Sequence, residues 1–483
     1  MDPSEFRRHG HALVDWIAEY LAGSERYPVL PRVAPGDVRR ALPSSAPEQG
    51  ESFDAIFADF ERVLVPALTH WNHPGFFAYF AITASAPGVL AEFLSAALNQ
   101  QGMLWRTSPA STELEEVSTN WLRELMGLPE AFEGVIYDTA SISSLHALAA
   151  AREAAVPGVR EAGMAGRPEL PGVRVYCSEH AHSSIDKAVI LLGLGHRSLR
   201  HIAADDRFRM RADALRQAIA EDRAAGLIPL AVVATVGTTS TTSVDPVREI
   251  ADICRQEHVW LHVDAAYAGV TAILPEYRPH FDGWEEADSI VVNPHKWLFV
   301  PFDLSAFYCR RMDVVRQAFS VVPEYLRTAE GSRGVRNLMD TGVQLGRRFR
   351  SLKLWMVLRH FGAEGIRAAL AEHMRLASVF AAWVDADADF ERTAPVPFSV
   401  VCFRARPRAL ANASTDELDT FNQRVLDEVN ASGDVFLSHT RLNGALSLRL
   451  AIGHLGTTER HIARAWTLLR AHTDQLTPES IPN

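Results

Sequence analysis

The middle of the chain alternates short β-branched runs with helical segments, and this alternation constrains the fold more than any other feature. The runs predict strands at 173–177, 230–236, 260–263, 289–292 and, more weakly, 306–309. Between two of these strands, apolar residues recur at the period of a helix, namely Val247, Ile250, Ala251 and Cys254. Strand, helix and strand in succession predict a mainly parallel α/β sheet with right-handed crossovers.

The N-terminal region has a different pattern. Residues 4–21 predict an amphipathic helix, with Ser4 as a possible cap, and a proline-rich stretch follows over 27–50. Such an arm does not form a compact domain alone. The apolar face of its helix requires a partner surface, either on its own domain or on a second subunit.

The C-terminal region changes the pattern again. A long helix is predicted from about residue 351, followed by strands at 398–403 and 446–452 between helices. We therefore expect three parts: a helical arm over 1–85, a large α/β domain over 86–352 and a small α+β domain over 353–483.

Composition excludes several classes of function. The chain has 48 basic and 59 acidic residues, a net charge of -11, so we expect no nucleic-acid partner. Its four cysteines lie far apart without a CxxC pair, so we expect reduced thiols and no metal site. The longest apolar stretch, 188–195, is much shorter than the roughly 20 residues that cross a bilayer. With no signal peptide evident, we expect a cytoplasmic protein without a membrane partner.

Lysine is very rare in this chain. Only Lys187, Lys296 and Lys353 are lysines, which leaves 45 arginines among the basic residues. Arginine stays protonated, whereas a desolvated lysine amine can attack a carbonyl group covalently. Each lysine is therefore a candidate functional residue.

Polar residues follow four of the predicted strands at the point where each strand ends. They are the segment 178–184 with His180 and His182, the segment 237–240, Asp264, and the segment 293–296 that ends in Lys296. Ligands of open parallel sheets bind beyond the carboxyl ends of the strands. We therefore expect these side chains to converge on one site.

This set of side chains matches the needs of pyridoxal phosphate. That cofactor takes a lysine for its aldehyde, a carboxylate for its pyridine nitrogen, a flat group against its ring and an anion site for its phosphate. Lys296 and Asp264 meet the first two needs. The segment 138–144 precedes a helical run over 145–153, so its amides predict an anion-binding helix N-terminus. Each residue alone has an ordinary structural explanation; their joint placement favours the cofactor.

Several blocks of the sequence resemble the group II pyridoxal-phosphate decarboxylases, the aromatic L-amino acid decarboxylase family. The cofactor-lysine signature is Asn293-Pro294-His295-Lys296-Trp297. Further blocks follow the family order and begin at Trp71, Ser108, Ala181, His262 and Leu345, reading WNHPGFFAYF, SPASTELE, AHSS, HVDAAYAG and LGRRFR. The resemblance extends from the first helix to at least residue 360.

The resemblance implies a fold type I, aspartate aminotransferase-like homodimer with a seven-stranded sheet and sites at the subunit interface. It implies that Lys296 holds the cofactor, that Asp264 pairs with the ring nitrogen, and that His182 stacks on the ring and helps to hold the substrate carboxylate. The other cofactor residues would be Ala140, Ser141, Thr239, Ala266, Asn293 and His295. The substrate would contact Trp71, Tyr79, Phe80, Ile82, Gln101, Met103, His182 and Gly346.

The resemblance also implies the reaction, which is the loss of CO2 from an amino acid by a carboxy-lyase of carboxylic acid metabolism. Tyr325 follows Lys296 by 29 residues and matches the tyrosine that protonates the product carbon. Relatives that make aldehydes instead often replace this tyrosine by Phe or the histidine at 182 by Asn. Because Tyr325 and His182 are both present, we expect an amine product.

The substrate is less constrained than the reaction. The three aromatic residues, Trp71, Tyr79 and Phe80, favour an aromatic side chain, and Gly346 matches the glycine of plant relatives that use indole substrates. Tryptophan, 5-hydroxytryptophan, dopa, tyrosine and phenylalanine therefore stay open. The sequence differs from the animal enzymes at Ile82, Gln101 and Met103. The alternatives are an aldehyde synthase, a decarboxylase of acidic or aliphatic amino acids, or a non-catalytic cofactor-binding protein. A nucleotide-binding oxidoreductase is disfavoured, since no GxGxxG or P-loop follows a strand.

Overall fold

The computed structural model describes residues 1–321 and 335–477. The chain forms two compact units. One contains residues 1–81, 378–393 and 401–483, and the other contains residues 82–377 and 394–400. The three-part division expected from the sequence stays a prediction.

The second unit is built on a seven-stranded sheet. Its strands are β1 Glu133–Tyr137, β2 Val173–Ser178, β3 Leu199–Ile202, β4 Ile228–Thr235, β5 Trp260–Asp264, β6 Ser289–Val292 and β7 Ser305–Cys309. The order is β1-β7-β6-β5-β4-β2-β3, and β7 is antiparallel to both of its neighbours. The remaining pairs are parallel, so the predicted mainly parallel sheet is confirmed.

The described residues form α-helices before, between and after the strands. They are α1 Pro3–Ala22, α2 Asp37–Ala41, α3 Phe53–Asp59, α4 Ala86–Leu98, α5 Pro109–Met126, α6 Ala140–Ala155, α7 Val159–Ala162, α8 Ser184–Leu191, α9 Ala212–Ala224, α10 Val247–Glu257, α11 Pro294–Trp297, α12 Met312–Phe319, α13 Ser351–Ala386, α14 Thr415–Ala431 and α15 Glu459–Leu476. The four apolar positions predicted for α10 are all buried. Within α13, Gly362 breaks the helical backbone at a φ of 60°.

The central strands are buried along their whole length. Every residue of β5 and β6 is buried, as parallel strands covered on both faces require. Helix α6 packs against the sheet through an alanine-rich face, which includes Ala147, Ala150 and Ala151. Small side chains let this helix approach the strands closely. Because α6 begins directly after β1 ends, its N-terminus lies at the carboxyl edge of the sheet.

The first unit contains a small four-stranded sheet. Its strands are β8 Phe390–Arg392, β9 Val400–Ala405, β10 Ser438–Leu442 and β11 Ala445–Ala451, in the order β10-β11-β9-β8. Helices α14 and α15 pack with each other, and α14 packs on β11. The expected smaller α+β part is confirmed, with two of its strands displaced by one or two residues from their predicted positions.

The cap of α1 was wrongly predicted. The side chain of Asp2, not Ser4, accepts the N–H groups of Ser4 at 2.7 Å and Glu5 at 2.9 Å. Pro3 takes the first helical position, where its fixed φ and missing N–H carry no cost, so the cap falls one residue earlier.

Two features are absent from residues 1–321 and 335–477. No helix there is long and apolar enough to cross a membrane. Within the same ranges, no group of three or more His, Cys, Asp or Glu side chains could hold a metal ion.

Candidate active site

The carboxyl ends of five strands lie along one edge of the large sheet. Strands β2, β4, β5 and β6 are parallel, and β1 runs in the same direction because both it and β6 are antiparallel to β7. The register pairs Thr235 with Asp264 and Asp264 with Val291, so these three strands end within one residue of the same level. Residues that follow these strands therefore share one edge, as the sequence predicts.

Lys296 and Asp264 are held on neighbouring strand ends. Asp264 is the last residue of β5, is 6% exposed, and accepts the N–H of Ala266 at 3.1 Å. Lys296 is half-buried on the short helix α11 after β6. The N–H of Asn293 donates to the carbonyl of Ala266 at 3.0 Å and joins the two segments.

His182 lies in the turn after β2. Its Nδ1 accepts the N–H of Ser184 at 3.1 Å and lies 2.9 Å from the Ser184 hydroxyl, so the ring proton is on Nε2. The residue is exposed, yet protein atoms crowd its ring closely enough that desolvation lowers its pKa. The negative charge of Asp264 raises that pKa and the positive charge of Lys296 lowers it. The charges of Asp264 and Lys296 therefore both act on His182. Because its pKa is lowered, the imidazole is neutral at pH 7.

The histidine next to the lysine has a different environment. His295 is buried, its Nδ1 accepts the N–H of Leu304 at 2.8 Å, and its ring packs 4.8 Å from that of Phe302. Burial, followed by the charge of Lys296, lowers the pKa of His295 to about 3. Its observed contacts therefore fix the chain that follows Lys296.

The N-terminus of α6 lies after β1. Thr139 precedes the helix, and no side chain of the described part of the chain caps it. The carbonyl of Thr139 accepts the N–H groups of Ile142 and Ser143, both at 3.1 Å, so the N–H groups of Ala140 and Ser141 come before the first helical bonds. First-turn N–H groups of a 16-residue helix attract anions. Thr239 is exposed in the loop after β4.

The same edge of the sheet carries polar atoms that the described residues do not use. Asn293 Oδ1, Thr235 Oγ1 and Thr242 Oγ1 are buried and have no hydrogen-bond partner among those residues. Buried polar groups in native proteins are nearly always paired. Unused polar atoms, one lysine, one carboxylate, one imidazole and one uncapped helix N-terminus together fit the donor set that pyridoxal phosphate requires.

The aromatic residues expected to contact the substrate belong to the other unit, where they form a cluster. The ring of Trp71 stacks on Phe76 at 4.4 Å and on Tyr79 at 6.0 Å between centroids. Tyr79 is 54% exposed and has a φ of 50°. The guanidinium of Arg449 lies 4.8 Å from the ring centre of Phe80.

Two neighbouring strands of the small sheet hold the backbone of Tyr79. Ser438 Oγ accepts the N–H of Tyr79 at 3.3 Å, and Arg449 Nη1 donates to its carbonyl at 2.5 Å. Ser438 and Arg449 are directly paired between β10 and β11. Sequence reasoning did not find this pair, because no local pattern indicates residues that act about 360 positions away.

Gln101, Met103 and Gly346 lie on two adjoining segments of the second unit. Gln101 Oε1 accepts the N–H of Arg347 at 3.2 Å, and the carbonyl of Met103 accepts the N–H of Met339 at 3.1 Å. A Cβ atom added at Gly346 would have no atom of the described residues within 4 Å. Ile82, at the start of this unit, is half-buried.

Arg347 is a third residue that sequence reasoning missed. Its guanidinium is buried, pairs with Glu115 at 2.6 Å and donates to the carbonyl of Ile136 at 2.8 Å. The only sequence signal for Arg347 was its position in the LGRRFR block that begins at Leu345. Tyr325 lies outside the described residues.

Comparison with known proteins gives consistent matches over the chain. The model of the pyridoxal-dependent decarboxylase conserved domain matches residues 35–406. Tryptophan decarboxylase 2 of Oryza sativa subsp. japonica is 40% identical over 479 residues, 97% of this chain and 95% of that protein. Phenylacetaldehyde synthase of Arabidopsis thaliana is 40% identical over 485 residues, covering 99% and 97%. A crystal structure of Oryza sativa TDC with PLP and tryptamine superimposes with a TM-score of 0.95 at 36% identity, covering 99% of each chain.

Proposed function

The chain belongs to the family of pyridoxal-dependent decarboxylases, and from that membership we propose that it converts an aromatic L-amino acid into the corresponding amine and CO2. It is an amino acid decarboxylase that uses pyridoxal 5'-phosphate. The candidate substrates are tryptophan, 5-hydroxytryptophan, dopa, tyrosine and phenylalanine. The names of the relatives support this class, since one is a tryptophan decarboxylase and another makes phenylacetaldehyde.

The main structural support for an aromatic substrate is the exposed aromatic surface of Trp71 and Tyr79. The two rings are nearly parallel, with an interplanar angle of 24°. Tyr79 keeps a left-handed backbone, which is costly for a bulky residue and is typically retained only where function requires it. We propose that Trp71, Tyr79 and Phe80, with Ile82, Gln101, Met103 and Gly346, contact the substrate side chain.

The cofactor is proposed to bind at the carboxyl edge of the large sheet. Lys296 would hold it covalently and Asp264 would pair with its ring nitrogen, while Ala140, Ser141 and Asn293 would bind the phosphate region. Thr239, Ala266 and His295 would complete its surroundings, and His182 would stack on the ring. When bound, pyridoxal phosphate supplies an electron sink for the bond that breaks at the α-carbon of the substrate.

The chain's own charges suit this reaction. A carboxylate as buried as Asp264 strongly favours a cationic partner, because its charge is poorly screened there. The neutral His182 can donate one hydrogen bond from Nε2 to the substrate carboxylate. Because it carries no positive charge at pH 7, it orients that carboxylate without stabilising it by an ion pair. Tyr325 would then donate the proton of its hydroxyl to the α-carbon.

An aldehyde product is the second candidate, because one relative is named phenylacetaldehyde synthase. The presence of both His182 and Tyr325 favours the amine. The test is to incubate the purified enzyme with the five aromatic amino acids and with glutamate, and to measure CO2, amine, aldehyde, peroxide and ammonia. We expect equimolar amine and CO2 without peroxide from at least one aromatic substrate. Turnover of glutamate alone would contradict the substrate class, and aldehyde with peroxide would contradict the amine product.

We also propose that the enzyme is a cytoplasmic homodimer whose active sites lie at the subunit interface. Helix α4 supports the dimer, since Leu90, Leu94 and Leu98 are exposed along one face and Phe93 lies beside them. Light scattering should give twice the mass of the chain, and a fully active monomer would refute the dimer. All four cysteines are buried and none forms a disulfide, which suits a reducing compartment. Cell fractionation tests that location.

A further inference from the structure

The lysine proposed to hold the cofactor lies on a helix of only four residues, Pro294–Trp297. So short a helix cannot keep its shape by its own hydrogen bonds, and its surroundings must fix it. We propose that four buried side chains, Trp297, Tyr267, His373 and Ser399, form a brace that positions Lys296 relative to Asp264. The inference rests on the proposed role of Lys296 and adds positioning residues to it.

The centre of the brace is a stacked pair of aromatic rings. Trp297 is directly next to Lys296, and Tyr267 lies three residues after Asp264. Their ring centroids are 4.5 Å apart with an interplanar angle of 7°, and both residues are buried. The stack therefore connects the segment that carries the lysine to the segment that carries the aspartate.

A hydrogen bond anchors each ring of the stack at its outer edge. Trp297 Nε1 donates to Nδ1 of His373 at 2.9 Å, and the hydroxyl of Tyr267 lies 2.6 Å from that of Ser399. His373 and Ser399 are both buried. Neither ring can slide or turn in its plane without breaking a buried hydrogen bond, which is costly to leave unmade.

The chain that leaves the short helix is held just as firmly. Phe299 has a φ of 61°, a costly conformation for a bulky residue, and its carbonyl accepts both the N–H and the hydroxyl of Ser85 at 3.2 Å and 2.7 Å. Its ring lies edge-on to His373 at 6.0 Å. His373 therefore contacts the chain on both sides of Leu298 and fixes the exit from the lysine's helix.

The brace can be loosened without removing the rings. Trp297→Phe keeps an aromatic ring and loses the N–H donor, and His373→Leu loses the acceptor. His373→Gln restores an acceptor and serves as the conservative rescue. The matched control is Trp260→Phe. Trp260 is also buried, and its Nε1 donates to Ser289 Oγ at 3.0 Å. It lies at the start of β5, however, whereas Asp264 lies at the end of that strand.

The three lysines of the chain provide a readout that does not depend on activity. The full chain, stripped of cofactor, is treated with a trace amount of an amine-acetylating reagent, and its peptides are quantified by mass spectrometry. Lys187 is exposed and serves as the internal reference. For Trp297→Phe and His373→Leu we expect the ratio of Lys296 to Lys187 labelling to rise about fivefold to tenfold. A factor of this size corresponds to the free energy of one lost buried hydrogen bond.

A second readout uses the holoenzyme. The Kd for pyridoxal phosphate should rise about tenfold in the same two variants, because binding must then order the lysine segment. His373→Gln should return both readouts to within about twofold of the parent protein, and Trp260→Phe should leave both unchanged.

Two results would overturn the brace. One is a labelling ratio within twofold of the parent in both loosened variants, and the other is an equal rise in Trp260→Phe. If Trp297→Phe does not fold, Tyr267→Phe takes its place, since it loses only the hydroxyl that reaches Ser399; an unchanged labelling ratio would then count against the brace. A parent protein that binds no cofactor at Lys296 would refute the proposed function, whereas the labelling ratio would still decide the brace.

Discussion

Removal of the buried guanidinium at Arg347 should destabilise the second unit strongly. The side chains of Arg347 and Glu115 are 6% and 2% exposed, and they pair at 2.6 Å. In Arg347→Met, the carboxylate of Glu115 keeps, among the described residues, only the N–H of Ile136 at 2.8 Å, and the carbonyl of Ile136 loses its contact with the guanidinium. Breaking a buried pair by removing one partner costs about 3–5 kcal/mol, because the remaining charge stays buried.

That cost should be visible as a change in thermal stability. In a unit of this size each kcal/mol shifts Tm by roughly 2 °C, so we expect Arg347→Met to lower Tm by roughly 6–10 °C. Circular dichroism of the full chain measures this shift. The control is Arg348→Met at the next position, where the side chain is 56% exposed and pairs with Glu92 at 2.8 Å. Glu92 retains Lys353 at 2.6 Å, so the control should lose less than about 1 kcal/mol.

A double variant separates the stranded charge from the lost packing. Glu115→Gln keeps an oxygen for the N–H of Ile136 and removes the negative charge. Arg347→Met with Glu115→Gln should therefore be more stable than Arg347→Met alone. The reasoning is refuted if Arg347→Met costs no more than Arg348→Met, or if the double variant is less stable than the single one.

Three further predictions concern the reaction. Tyr325→Phe should bind the cofactor normally but form aldehyde in place of amine, as product analysis would detect; undiminished amine formation would exclude Tyr325 as the proton donor. Asp264→Ala should raise the Kd for pyridoxal phosphate by at least about tenfold and nearly abolish turnover, because the ring nitrogen loses its counter-charge; near-normal turnover would contradict the assignment. Because the pKa of His182 is lowered and its neutral form is the active one, kcat/KM should fall only as the pH drops below about 6.5. A decline that begins at higher pH, or one that persists in His182→Gln, would contradict that role.

The sequence predicts the centre of the large sheet well and its margins poorly. Strand β6 has the predicted bounds, because three β-branched apolar residues follow Ser289 between Asp288 and Asn293. Strand β1 was not predicted, since it begins with Glu-Gly, and β3 was not predicted because it is an edge strand with two polar residues in four. Edge strands need less apolar surface than central ones, so their pattern is weak.

The sequence likewise predicts some features of the candidate site and not others. Lys296, Asp264 and His182 could be placed because each ends or follows a strand, and the direction of parallel strands gives their common edge. The contacts that hold the site together could not be predicted. Trp297 and His373 are 76 residues apart, and Arg347 and Glu115 are 232 apart, so only the tertiary structure reveals them.

Reduction of the holoenzyme with borohydride, followed by peptide mass mapping, tests the central claim most directly. The three lysines differ sharply: Lys187 is exposed, and Lys353 is 1% exposed, pairs with Glu92 and donates to the carbonyls of Pro301 and Asp303. Lys296 is half-buried on the helix that follows β6, and Asp264 ends the neighbouring strand β5. We predict a pyridoxyl adduct on Lys296 alone. An adduct on Lys187 or Lys353 in its place, or no adduct on any lysine, would contradict the account.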